Sequence, residues 1–263
     1  MVQKKKTTAP LIRPAARLGE VREYYFATKL REIARLREEG KDILNLGIGS
    51  PDLPPSQNAL DALIQGAKDH HNHGYQSYTG LPQLRRAFAA WYERYFDVTL
   101  DPEGEILPLI GSKEGIMHIS MTYLEAGDEV LVPNPGYPTY RAVANLTGAA
   151  IREYRLEEDR HWQPDLDKLA ATDLSRVKVM WLNYPNMPTG ARADRGFFAD
   201  LIDFAREHQI LLINDNPYAF ILNDRPLSLL SLPGAREVAL ELNSLSKAHN
   251  MAGWRIGMLA GRG

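Results

Sequence analysis

Cysteine is absent from this chain. Its absence removes disulfides, thiolate metal sites and a cysteine nucleophile together, and it agrees with a reducing, cytoplasmic compartment. Charge of either sign is nearly balanced, with a net −2 over 263 residues. Bulk electrostatics therefore recommend neither nucleic acid nor an anionic membrane as a partner. No apolar run approaches the length of a membrane span. Lys4, Lys5 and Lys6 are not followed by an apolar stretch, so the start reads as a solvated basic end and not as a secretory signal. Walker-type phosphate loops and the Gly-x-Ser-x-Gly elbow are also missing. Gly47-x-Gly49 begins like a dinucleotide fingerprint, but Pro51 intervenes and Asp52 stands where the third glycine belongs. His70, His71 and His73 lie close together with only Asp69 nearby, which predicts a solvated helix end and no metal site.

What is present is a hydrophobic fraction of 44%, enough for a sizeable core in one large α/β domain, with or without a small partial one. Apolar residues Val21, Tyr25, Leu30, Ile33 and Leu36 predict a helix over 17–39 that stops at Gly40. An apolar piece over 43–48 then runs into the turn Gly49-Ser50-Pro51-Asp52. One helix is expected from an N-cap at Ser56. Another is expected near Leu81, with Leu84, Phe88, Trp91 and Tyr92 on its buried side. Beyond residue 104, short apolar runs at 106–110, 129–132, 150–156, 177–182, 210–213, 238–242 and 256–260 alternate with helix patterns at 113–125, 138–147, 165–171 and 194–208. That alternation predicts an α/β fold with a seven-stranded, mostly parallel sheet covered by helices on both faces. In such a sheet a ligand crevice lies at the carboxyl ends of the strands.

Polar clusters do follow the apolar runs: Gly111-Ser112-Lys113, Asn134 to Tyr137, Asn183 to Gly190, Asp215 to Tyr218, and Ser244 to Lys247. The first opens a helix, where free N–H groups and the helix dipole suit a phosphate, though a helix start needs no ligand. Asp215 ends a strand expected to be buried, so it requires a cation or strong donor. The residues alone leave open whether it caps a turn or serves a site. Lys247, in a loop between two buried strands, can be desolvated into an amine nucleophile, and Arg255 can return to the same crevice.

The stretch Ser244-Leu245-Ser246-Lys247 through Gly253, Arg255 and Gly257 resembles the cofactor-lysine signature of class I/II, fold-type I, pyridoxal-phosphate (PLP) dependent aminotransferases. Further matching blocks follow the family's order: Asn45 to Asp52, Tyr75 to Gly80 with Leu84-Arg85, Gly111 to Gly115, Pro133 to Pro138, Asn183 to Gly190, and Asp215 to Tyr218.

The resemblance implies that Lys247 holds PLP as a Schiff base and shuttles a proton. It implies that Asp215 pairs with the pyridine nitrogen, Tyr137 stacks on the ring and Tyr218 donates to the ring oxygen. Ser112, Lys113, Ser244 and Arg255 would hold the phosphate. Tyr75 would reach the phosphate of a second subunit in a homodimer, and Gly49 would lie near the substrate carboxylate. Substrates would be an amino acid and a 2-oxo acid. Asn134–Pro135 and Met187–Pro188 are expected to be cis. Residues 1–50 would form an N-terminal arm and helix belonging to a small domain, and 51–263 the PLP-binding large domain.

Two departures stand out. Met187 occupies the place of the family's asparagine donor to the ring oxygen. A thioether cannot donate, so Asn183 or Asn186 would substitute, or Tyr218 would act alone. The sequence also stops at Gly263, where family members continue into an interdomain helix and a C-terminal domain; weak PLP binding and poor turnover are expected of this chain. Other reactions of the same scaffold, such as elimination or decarboxylation, and a non-catalytic PLP-binding or dimerisation fragment are the alternatives.

Overall fold

The computed structural model describes residues 11–20, 25–47 and 49–262. Lys4, Lys5, Lys6, Val21, Ile48 and Gly263, named above, lie outside the described residues. The chain divides into two compact units, Met1–Ile43 and Leu44–Gly263.

In the first unit the described residues of the expected helix lie in a 3-10 turn, Ala16–Glu20, and in a helix α1, Tyr25–Glu38. The chain leaves α1 through Gly40, whose φ of 82° is the left-handed geometry a helix stop requires. No described residue of α1 is buried. Ion pairs one turn apart, Lys29–Glu32 at 2.8 Å and Arg35–Glu39, run along its surface.

The second unit opens with α2, Gln57–Lys68, capped by the Ser56 hydroxyl, which accepts from the Ala59 N–H. The three histidines form an exposed 3-10 turn, His70–His73, held by Asp69 accepting from the His71 N–H. Proline at the first turn starts α3, Pro82–Phe96, which buries Arg85, Phe88, Tyr92 and Phe96. The remaining helices are α4, Ser112–Tyr123; α5, Pro138–Thr147; α6, Leu166–Ala170; α7, Arg195–His208; and the four-residue α8, Ala235–Val238. Between them run β1, Ile106–Leu109; β2, Glu129–Asn134; β3, Ala150–Arg155; β4, Val177–Leu182; β5, Leu211–Asp215; β6, Ala239–Ser244; and β7, Gly257–Ala260.

These seven strands form one sheet in the order β1-β7-β6-β5-β4-β2-β3. All pairs are parallel except those of β7, which runs antiparallel between β1 and β6. Successive residues alternate between two cores, as the pleat demands. Leu131, Met180, Leu182 and Leu212 pack with α3 and α7. Val130, Val132, Val179, Trp181, Ile213 and Leu242 pack with α4 and α5. Gly115 lets α4 sit close on the sheet: a Cβ there would fall 2.3 Å from Leu242. The register places Gly257, at the start of β7, opposite both Leu109 and Ser244, at the ends of β1 and β6. The antiparallel strand therefore begins at the edge where the parallel strands end, and Arg255 is delivered there with them.

Candidate active site

Asp215 closes β5 and is buried, on the face covered by α4 and α5. Burial pushes its carboxyl up to about 6, opposed by the Tyr140 hydroxyl, which donates to Oδ2 at 2.9 Å; the buried Ser112 hydroxyl makes no hydrogen bond. Tyr140 is itself fully buried and stacked on Trp181, ring centroids 4.9 Å apart and planes 8° from parallel. The other oxygen of Asp215, Oδ1, is buried with no hydrogen-bond partner. A carboxylate oxygen left in that condition costs free energy unless a donor or cation arrives.

Lys247 lies in the loop after β6, the strand paired with β5. Its Nζ donates to the Gly49 carbonyl at 2.5 Å and stands 6.0 Å from the centre of the Tyr218 ring. Partial burial lowers its pKa from the ordinary lysine value. Asp215, Tyr218 and Lys247 thus lie at or just after the ends of the neighbouring strands β5 and β6, and Lys247 holds Gly49 to that edge.

Gly111 precedes α4 with a φ of +118°. A Cβ there would fall 2.4 Å from the Arg255 guanidinium, so only glycine lets that cation stand over the first turn of the helix. Arg255 is fixed by donating to the Ala252 carbonyl at 2.9 Å. Ser244 adds a hydroxyl, bonded to the Ser246 hydroxyl at 2.8 Å. A helix start, a guanidinium and a hydroxyl at one place are groups of the kind that suit an anion. Lys113 and Tyr137 meet at the same edge, Nζ 5.7 Å from the ring centre, and Tyr137 packs edge-on against Tyr140 at 5.6 Å.

The loop after β4 is rigidly built. Asn183 donates to the Asp215 carbonyl at 2.6 Å and accepts from the Met187 N–H at 2.8 Å, so its amide is committed to joining the loop to β5. Asn186 accepts from the Thr189 hydroxyl at 2.8 Å, while its Nδ2 is buried without a partner. The bonds Asn134–Pro135 and Met187–Pro188 are cis, and so is Tyr184–Pro185. Tyr75 is fully exposed.

Tyr140 was not anticipated from sequence. A signal existed: the buried carboxylate required a donor, and Tyr140 lies one helical turn beyond Tyr137, on the same face of α5. Glu241 and Asn214, buried beneath the same strand ends, carried no comparable signal.

Residues 41–262 match the family model for aminotransferase class I and II. LL-diaminopimelate aminotransferase from Dehalococcoides mccartyi is 43% identical over 247 residues, covering 93% of this chain and 64% of that protein. The protein of the same name from Desulforudis audaxviator is 45% identical over 249 residues, with 94% and 64% covered. Among solved structures, substrate-bound BacF from Bacillus subtilis superimposes with a TM-score of 0.91 at 36% identity, covering 96% of this chain and 64% of its own. A probable N-succinyldiaminopimelate aminotransferase from Thermus thermophilus gives 0.82 at 39% identity, with 90% and 64% covered. The chain spans 64% of the length of the curated relatives it matches. With that match running through the strands and loops that build this edge of the sheet, the chain belongs to the class I and II aminotransferase family.

Proposed function

We propose that this chain forms the cofactor-binding part of an enzyme that uses PLP to move an amino group between an amino acid and a 2-oxo acid. The observation that carries this reading is a half-buried lysine amine and a buried, half-satisfied carboxylate near adjacent strand ends, with a guanidinium beside a helix start. The fit to PLP is specific in kind: an amine for the aldehyde, a carboxylate oxygen for the ring nitrogen and a cradle for the phosphate. When bound, PLP supplies an electron-withdrawing ring that stabilises charge at the substrate α-carbon.

Lys247 would hold the cofactor and, when released, hold and move the α-proton; its lowered pKa makes the neutral amine needed for both easier to reach. Asp215 would accept from the ring nitrogen through Oδ1, and a cation there would offset the rise that burial imposes. Ser112, Lys113, Ser244 and Arg255 would hold the phosphate, and Tyr137 would cover a ring face. Tyr218 and Asn186 would serve the ring oxygen in place of a donor at Met187, while Asn183 fixes the loop that carries Asn186. Gly49 would leave room for the substrate carboxylate. The exposure of Tyr75 supports its use by a second copy, hence a homodimer, and the lack of cysteine supports a cytoplasmic setting.

LL-diaminopimelate, named in the relatives, is the amino donor to test first. A visible spectrum with added PLP should show a bound-cofactor band that is missing in Lys247→Ala. Amino donors should change the band, and whatever product forms should be keto acid with aminated cofactor. Ammonia and pyruvate as products, or no band at all, would defeat the reading. Met187→Asn should shift the pH at which the bound-cofactor absorbance changes; an unmoved midpoint would remove the idea that Met187 retunes the site.

A further inference from the structure

Glu241 lies inside β6 with none of its surface exposed, on the face opposite the site. A buried carboxylate there needs several donors to be tolerated. It has four. Oε1 accepts from the Tyr92 hydroxyl at 2.9 Å and the Ser228 hydroxyl at 2.8 Å. Oε2 accepts from Asn214 Nδ2 at 3.1 Å and the Leu229 N–H at 3.0 Å. Asn214 is fully buried and immediately precedes Asp215. Its Oδ1 accepts from the Tyr184 N–H at 3.0 Å. From Tyr184 the chain passes directly into the loop that Asn183 ties to the Asp215 carbonyl.

The chain of contacts fixes orientation as well as place. Because Nδ2 of Asn214 is directed to Glu241, Oδ1 must face Tyr184. We infer that Glu241, acting through Asn214, is a positioning residue that sets the 183–190 loop and the Asp215 strand end for cofactor binding. The inference rests on the proposed function for the word cofactor, and on geometry alone for the brace.

The two oxygens of Glu241 differ chemically, which supplies graded variants. Oε2 faces two groups that can only donate, while Oε1 faces two hydroxyls that can reverse. Glu241→Gln can therefore point its carbonyl at Asn214 and Leu229 and its amide at the hydroxyls, and should behave nearly as wild type. Asn214→Asp instead sets two carboxylates against each other in a buried space. Adding Glu241→Gln to it lets the amide turn toward the new aspartate and should recover part of the loss, the Leu229 N–H then being left without its acceptor. Tyr92→Phe deletes a donor to Oε1 and leaves the Asn214 side intact, so it reports the purely structural share.

The experiment combines amide hydrogen exchange of residues 183–190 without cofactor, PLP titration and thermal melting on the whole chain. Asn214→Asp should speed exchange in the loop and weaken PLP binding by roughly tenfold or more, the usual scale when a group that orients a binding residue is lost. Tyr92→Phe should lower the melting temperature and leave both other readouts unchanged. Unchanged loop exchange in Asn214→Asp overturns the brace, whatever PLP does. Faster exchange with unchanged PLP affinity, or equal effects in Tyr92→Phe, overturns its positioning role. A wild-type chain that binds no PLP overturns the functional reading, and the exchange result still decides the brace.

Discussion

Within the larger unit, the residues from Pro82 onward and those from Leu44 to Leu81 obey the same local rules with opposite results. From α3 onward, amphipathic helices find a sheet, and Phe88, Tyr92, Ile116, Tyr140, Phe198 and Leu201 vanish into two cores. Before it, α2 has a good cap and an apolar side yet buries nothing. Leu44, Leu46, Leu53, Leu63, Ile64, Tyr75 and Tyr78 are each more than half exposed. Periodicity and capping decide whether a helix forms; burial needs a second surface. Exposed apolar side chains in such number are what an association surface would use, and they include Tyr75, proposed above to serve a second copy.

Side-chain truncation should separate the two regions. Phe198→Ala, at a fully buried position facing the sheet, should cost about 3–5 kcal/mol in urea unfolding. A cost below about 1 kcal/mol would mean that core is not packed as described.

The site edge should respond differently from both regions, because it holds unmet polar demand. Asp215 is raised from 3.8 to about 6 on folding. A raised acid binds its proton more tightly in the folded state, so its stability contribution is intact below pH 4 and is lost as pH climbs to 6. At about 1.4 kcal/mol per tenfold, the loss at pH 7 approaches roughly 3 kcal/mol. Asp215→Asn should therefore stabilise the cofactor-free chain by about that amount at pH 7 and hardly at all at pH 4, while weakening PLP binding. Equal stability changes at the two pH values would contradict the assigned burial.

The smallest effect belongs to α2. Leu63→Gln should alter the unfolding free energy of the isolated chain by less than about 0.5 kcal/mol. If it costs as much as Phe198→Ala, α2 has a partner within the chain.

The sheet was legible because its strands, buried on both faces, read as bare apolar runs. Their ends were less so. β2, β5 and β6 each extend by two residues past the apolar run, through Pro133-Asn134, Asn214-Asp215 and Asn243-Ser244. Polar side chains there look like loop, although the ladder continues beneath them. The helix α8 is too short for any period to register. Lys247, Asp215, Tyr218 and Ser112 stood out as polar residues after apolar runs and Arg255 as a cation just before the last one, while the roles proposed for them come from the resemblance. Glu241 was not, because a lone acid within an apolar run does not say that Tyr92, 149 positions away, will meet it. Long-range partners of buried polar groups are a property of the folded packing.

The proposed chemistry depends on one amine. Borohydride reduction of the chain with PLP, followed by peptide mapping, should place a single pyridoxyl group on Lys247 and none anywhere in Lys247→Ala. Label scattered over surface lysines such as Lys168 and Lys178, or persisting unchanged in Lys247→Ala, would contradict the account.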